Sequence, residues 1–383
     1  MKLWIVAAVS TLRLPSTAAL RVPSAVVSRR ALGELASAAA LATGGARAAA
    51  AAAAVPTLAI GKSKLEVSQL IQGYWQLAGG HGAYTEAEAI ANMRAHLAAG
   101  ATTLDTADIY GPSELVVGKF VAEEKRAVAC TKFCCFQGLD SIDRSQVRAR
   151  VKKQLSRLQV PQLPLVAFFW SDYGVKRYTD VGLYLTELKE EGFIREIGVT
   201  NFDLTRVKAL VDAGVPVASN QVQLSALDRR PVQSGMARYC ADQGIKLVAF
   251  GTVGAGLLSE RALGASSAQW TDFDNISQRM YSGTATRFGS WSLVQSLLQT
   301  LAAIAKEHPG ASIANVAQRY VLQRSDGADV ALLVGVRNTR HIADNVRTFS
   351  FSLSDGELAA IDKVVAQRSG PKGDVWDLER GRA

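Results

Sequence analysis

The chain has 383 residues, 48% of them hydrophobic and 20% charged, which suits one α/β barrel or two smaller domains. Its formal charge of +9 is concentrated at the front: within residues 1–55 six basic residues (Lys2, Arg13, Arg21, Arg29, Arg30, Arg47) face Glu34 alone, a local +5 that leaves +4 for the rest. That remainder, with no basic run interleaved with aromatics, argues against nucleic-acid binding. Cysteines 130, 134, 135 and 240 contain no C-x-x-C pair, and the four histidines (His81, His96, His308, His341) are scattered, so neither a disulfide framework nor a metal site is expected. The thiols read as buried, with redox sensing by Cys134 and Cys135 as the other reading.

Residues 1–55 read as a targeting leader. Lys2 and a short apolar run to Leu12 have the shape of a signal-peptide core, too short to span a bilayer. The stretch to Arg30 is rich in Ser, Arg and Ala and has no acid, as in transit peptides, and Arg29-Arg30 precedes an Ala-rich run to Ala54, as in translocation signals. A plastid is the expected destination, with a secreted or disordered leader as the alternative. No membrane association is expected after leader removal.

From residue 56 to 370 short apolar runs alternate with helical stretches, and 371–383 form a tail. The runs lie near Ser68 to Trp75, Ala101 to Leu104, Ala127 to Lys132, Pro164 to Trp170, Ile194 to Val199, Val217 to Gln221, Ile245 to Phe250 and Val330 to Gly335. Thr85 with Glu88, and Ser354 with Glu357, read as capping boxes that open helices. Arg144 to Leu158, Tyr178 to Glu191, Thr205 to Ala213, Val232 to Gln243 and Ser312 to Gln323 supply others. Eight strands separated by helices predict a (β/α)8 TIM barrel, with a doubly wound open sheet as the alternative. Ser259 to Ser290 breaks the rhythm, and its Trp270, Phe273, Tyr281 and Phe288 suggest a long loop folded over the barrel mouth, or else a plain surface excursion.

The chemistry is carried by Leu104 to Glu114, LDTADIYGPSE. An apolar strand breaks into polar residues and a Gly-Pro turn, so Asp105 and Tyr110 sit at a strand end, where side chains face a mouth; RAVACTKF places Lys132 in the same way. Free tyrosine titrates at about 10, so a phenol donates poorly unless its phenolate is stabilised. The three residues therefore read as a relay: Tyr110 gives a proton, Lys132 steadies the phenolate, and Asp105 keeps Lys132 charged and aimed. A Schiff base on Lys132, as in a barrel isomerase or lyase, is disfavoured because Asp105 would keep the amine protonated.

The pattern D-T-A-x-x-Y-G-x-S-E, followed by T-K after the next strand, resembles the aldo-keto reductase superfamily, and the likeness runs from about Leu58 to about Lys363. The resemblance implies reduction of a small carbonyl compound by NADP(H), with Tyr110, Lys132 and Asp105 matching the family's proton donor, lysine and aspartate. The family's histidine before Trp, at the end of the fourth strand, is replaced by Phe169 in AFFWSDY. Loss of such an oxyanion donor typically costs about 10²- to 10³-fold in rate. Ser171, Asp172, Tyr173 and His81 are the candidate substitutes.

The resemblance also implies the cofactor residues. Thr200 and Asn201 in GVTNFD, with Gln221, would hold the nicotinamide amide, and Phe250 would stack on its ring. Gly251, Val253, Gly254, Ala255 and Leu257 would follow the pyrophosphate. Gly335, Arg337, Asn338 and His341 would surround the 2'-phosphate, and Asp344 and Asn345 the adenine, with Arg337 and Arg340 favouring NADPH over NADH. Tyr74, Trp75, Phe169 and Trp170 would line an apolar substrate pocket. A need for NADPH makes the plastid stroma the preferred compartment. Because of Phe169, a second class of function stays open: an NADPH-binding redox-sensing or regulatory barrel with weak turnover.

Overall fold

Residues 55–267 and 275–380 are described by a computed structural model. The leader to residue 54, Trp270 and Phe273 lie outside the described residues. Eight of the apolar runs form parallel strands that close into a barrel: β3 (Leu70–Gly73), β4 (Thr103–Asp105), β5 (Val128–Cys135), β6 (Leu163–Trp170), β7 (Ile194–Thr200), β8 (Val217–Gln223), β9 (Lys246–Phe250) and β10 (Val330–Gly335), which pairs back onto β3. Helices α1 (Glu86–Ala98), α2 (Ser113–Glu123), α3 (Arg144–Leu158), α4 (Tyr178–Glu190) and α5 (Leu204–Asp212) follow the successive strands. The expected capping box at Thr85 is present, as is the one that opens the last helix at Ser354. No helix among the described residues is long and apolar enough to cross a membrane.

Strand alternation decides what each side chain faces. Along β5, Cys130 packs with the hairpin at the floor, Lys132 lies within the lumen and Cys134 joins Phe169 near the top, while Phe133 and Cys135 face the helices. Leu165 and Phe169 of β6 point inward in the same way, and Val166, Phe168 and Trp170 lie in the main core between sheet and helices. A register shift between Ile197 and Gly198 in the β7–β8 pairing gives β8 one extra residue.

Two elements were not anticipated from the sequence. Ahead of the barrel, β1 (Thr57–Ile60) and β2 (Leu65–Ser68) form an antiparallel hairpin whose Ile60, Leu65 and Val67 pack on Cys130, Leu165 and Ala218 and close the floor. Its turn is pinned by Glu196, which accepts from the Ser63 N–H at 2.7 Å and from Lys189 Nζ at 2.9 Å. Gly61 there has φ +68, and a Cβ would run into the Glu196 carboxylate. The second is a 17-residue helix, Trp291–Glu307, whose Val294, Leu297, Leu298, Leu301 and Ile304 build a second core.

Two expectations are corrected. Val232 to Gln243 is not one helix: it divides into a turn, Arg230–Gln233, and α6 (Met236–Gln243), because Gly235 takes φ +78 between them. The interval from Ser259 is not a loop throughout, since Ile276–Phe288 forms α7. Asn275 caps it, accepting from the Gln278 N–H at 3.0 Å. This helix lies over the mouth, tied to the β3 loop by a His81–Ser277 hydrogen bond of 2.9 Å and to β8 by Gln223 Nε2 donating to Thr284 Oγ1 at 2.8 Å.

The contact between α2 and α3 is close enough to test. A Cβ on Gly118 would strike the Arg157 carbonyl and the Leu158 backbone. Alanine gains roughly 1 kcal/mol of helix propensity over glycine, but overpacking costs about 1–3 kcal/mol. Gly118→Ala is expected to lower the urea midpoint at unchanged m value.

Candidate active site

The chain leaves β4 at Asp105 and turns back on itself. The Tyr110 N–H donates to the Ala107 carbonyl at 3.1 Å, and Gly111, at φ +54, makes the reversal that lets Pro112 and Ser113 start α2. The turn is braced from below. Thr106 Oγ1 donates to Ser113 Oγ at 2.7 Å, and the buried Glu114 accepts from Thr131 at 2.7 Å and from Arg157 at 3.1 Å. Asp108 pairs with Arg150 at 2.6 Å.

Inside the barrel Lys132 Nζ donates to Asp105 Oδ1 in a short ion pair and to the Thr106 carbonyl at 2.9 Å. From the far side of the lumen, Gln221 Nε2 donates to Asp105 Oδ2 at 2.9 Å. Both charged side chains are nearly dry, 5% and 6% exposed. Lys132 Nζ then lies 4.9 Å from the centroid of the Tyr110 ring. The structure thus brings acid, amine and phenol together, with Asp105 ending β4 and Tyr110 in the turn after it, whereas Lys132 sits within β5, three residues before the strand end expected for it.

The electrostatics follow from this geometry. Burial pushes the Tyr110 hydroxyl up to about 12, with the Lys132 charge pulling against it and the Asp105 charge adding to it. Burial disfavours charge on Lys132, but the Asp105 carboxylate and the Tyr110 phenol outweigh it and raise its pKa above the ordinary lysine value. The ammonium is therefore held charged beside a phenol that keeps its proton at neutral pH. Burial also raises Cys130, Cys134 and Cys135, with Cys134 well above its ordinary value, so these thiols are poor redox sensors.

The expected cofactor residues lie on β7, β8, β9 and β10 and in the segments that follow β7, β9 and β10. Thr200 is buried and donates to the Gln221 carbonyl at 3.2 Å. Asn201 follows at φ +58, and its side-chain oxygen is buried without a hydrogen-bond partner. Gln221 is committed to Asp105, and Phe250 stands partly exposed at the end of β9. Gly251 abuts the ring of Tyr281 from α7. Val253, Gly254 and Ala255 make a tight loop with φ +55 and +53 at Gly254 and Ala255, while the Leu257 side chain is buried in the second core. Gly335, Arg337 and His341 are exposed beyond β10, with Asn338 capping the Arg340 N–H at 3.1 Å. Asp344 and Asn345 lie in the next short helix, where the Asp344 carbonyl accepts from Asn315 at 2.7 Å.

The expected pocket wall is half corrected. Phe169 does face the mouth, packed with Cys134, Tyr110 and Phe136. Trp75 is partly buried, 5.3 Å from the His81 ring. Tyr74 and Trp170, however, are fully buried in the main core, because each has the strand parity that points at the helices. Tyr74 donates to Gln72 at 2.6 Å, and Trp170 to the Asp172 carbonyl at 2.8 Å. Three of the four candidate substitutes for the histidine, all but Ser171, have side chains engaged elsewhere. His81 is bound to Ser277, Tyr173 donates to the Asn201 carbonyl at 3.2 Å, and Asp172 caps the Gly174 N–H at 2.9 Å.

Sequence reasoning missed the tail. Residues 373–380 fold back over the mouth: Trp376 meets Phe250 edge-on at 6.2 Å and packs on the Tyr110–Phe169 cluster. Arg380 donates to the Asn201 and Trp170 carbonyls at 2.8 and 2.9 Å. A tryptophan set among charged residues, DVWDLER, was the available signal.

The aldo/keto reductase family model matches residues 69–366. A chloroplastic pyridoxal reductase of Arabidopsis thaliana is 25% identical over 310 residues, 74% of this chain and 77% of the relative. Aldo-keto reductase YhdN of Bacillus subtilis (strain 168) is 28% identical over 283 residues, 71% and 82% of the two chains. An aldo/keto reductase from Klebsiella pneumoniae, solved in complex with NADP and acetate, has a TM-score of 0.62 at 21% identity, covering 83% of this chain and 97% of its own.

Removing one member of a buried pair strands the other charge, typically at a cost of about 3–5 kcal/mol. Lys132→Met is expected to destabilise the protein by that amount in urea unfolding. Adding Asp105→Asn to the same chain should recover most of the loss, because no uncompensated charge remains.

Proposed function

The chain belongs to the aldo/keto reductase family, an oxidoreductase family, and on that premise we propose that it reduces an aldehyde or ketone to an alcohol with NADPH. The observation that carries the reading is the Lys132 ammonium 4.9 Å from the Tyr110 ring, held there by Asp105.

The residues suit the cofactor. The unpartnered Asn201 side-chain oxygen can accept from a carboxamide N–H, the partly exposed Phe250 offers an aromatic face, and the loop at Gly254 and Ala255 lets backbone N–H groups approach a pyrophosphate. Arg337 and Arg340, both exposed beside Asn338, supply the charge that a 2'-phosphate needs. When bound, NADPH supplies the hydride that adds to the carbonyl carbon. Tyr110 gives its proton to the carbonyl oxygen, and its O–H electrons stay on the phenolate. Lys132 steadies that phenolate, and Asp105 with Gln221 keeps Lys132 aimed, until solvent returns the proton.

Phe169 favours a second reading, a barrel that binds NADPH and turns over weakly as a redox-sensing or regulatory protein, because its side chain offers the substrate oxygen no hydrogen bond. The leader composition, with the chloroplastic address of the Arabidopsis relative, supports a plastid address, and the stroma is our preferred destination.

Stopped-flow mixing of the NADPH complex with a panel of aldehydes separates the two readings. Oxidation of NADPH that falls about 10²- to 10⁴-fold in Tyr110→Phe, with cofactor binding retained, supports the reductase. No oxidation with any carbonyl compound supports the reader. The reductase rate should hold through neutral pH and fall as the pH nears about 12, where Tyr110 loses its proton. In tryptophan-quenching titrations NADPH should bind more tightly than NADH, and Arg337→Ala should weaken NADPH about tenfold, the scale of one charge-assisted hydrogen bond, while leaving NADH unchanged.

A further inference from the structure

The last described residues do more than end the chain. The Leu204 N–H donates to Asp374 Oδ2 at 2.9 Å, which fixes the start of the segment beside the loop that carries Asn201. Gly373 and Trp376 take φ +87 and +63, and for a bulky tryptophan the left-handed region is strained and must be held by its surroundings. What holds it is visible. The Trp376 ring touches Phe250 on one side and the cluster of Tyr110, Cys134 and Phe169 on the other.

The far end is clamped by charge. Arg230, 1% exposed, is shared between two carboxylates: its Nε and Nη2 reach Asp228 at 3.0 and 2.7 Å, and its Nη1 and Nη2 reach Glu379 at 2.9 and 3.0 Å. Arg380, next in sequence, stacks over Tyr173 at 4.1 Å while donating to the Asn201 carbonyl. A segment with three separate anchors and a strained central residue is a built contact, not a trailing end.

We propose that Asp374–Arg380 is an autoinhibitory strap. With Trp376 seated against Phe250 and the cluster that Tyr110 also packs on, it excludes the nicotinamide half of the dinucleotide and must lift before hydride transfer can occur. The inference rests on the assignment of Phe250 and Asn201 to the nicotinamide. The adenosine end, at the exposed Arg337 and Arg340, stays open to ligand in either state. A binding-competent state that is only partly populated weakens apparent affinity by that fraction. Releasing the strap should therefore tighten NADPH and leave a fragment of its adenosine end unaffected.

The test compares dissociation constants for NADPH and for adenosine 2',5'-bisphosphate in three proteins: the full chain, a chain ending at Gly373, and Glu379→Gln. Truncation is expected to tighten NADPH about tenfold or more, with Glu379→Gln shifting it in the same direction by less, and the bisphosphate unchanged in all three. Unchanged bisphosphate binding shows that the shortened chain is folded; if it does not fold, Glu379→Gln carries the test. If the bisphosphate binds but NADPH is no tighter in either variant, the strap is overturned while the cofactor assignment stands. If the bisphosphate binds none of the three, the cofactor assignment fails and takes the strap with it.

Discussion

Burying Asp105 and Lys132 inside the barrel costs several kcal/mol per ion before any attraction is counted, and the neighbouring chain is arranged to recover it. Each charge has a second partner beyond the pair: the Thr106 carbonyl for Lys132 and the Gln221 amide for Asp105. Gln221 comes from the strand opposite β4, so the acid is gripped from both sides of the lumen. The pair is thereby a structural tie across the sheet as well as a charge beneath the phenol.

That dual role explains why the turn after β4 is so heavily braced. Ser113, Glu114 and Asp108 each bond to a different neighbour, and Gln154 of α3 donates to the Lys132 carbonyl at 2.8 Å. A phenol 4.9 Å from an ammonium responds steeply to small displacements. Side chains locked by their own hydrogen bonds keep it in place without relying on substrate to do so.

The barrel and its reacting trio were legible because they rest on local signals. Apolar runs of strand length marked the sheet, Thr85 and Ser354 announced their helices, and Asp105 ends its strand, though β5 runs three residues beyond Lys132. What escaped needed distances the sequence does not print. Tyr74 and Trp170 looked like pocket aromatics, but one step of strand parity turned them outward. The 291–307 helix was readable from its apolar spacing and was passed over, whereas α7, studded with Ser, Thr and Gly, gave a weak helical signal and is held by tertiary contacts at Gln223 and His81. The tail escaped because its partners Phe250, Asn201 and Arg230 lie more than a hundred residues away along the chain.

The hairpin at the other end of the barrel has a consequence for access. With Ile60, Leu65 and Val67 plugged into the base and Glu196 locking their turn, the lumen is closed at that end. A molecule that visits Lys132 does so from the opposite end, the mouth. A floor sealed in this way leaves the mouth, where α7 and the tail lie, as the side on which any control of access acts.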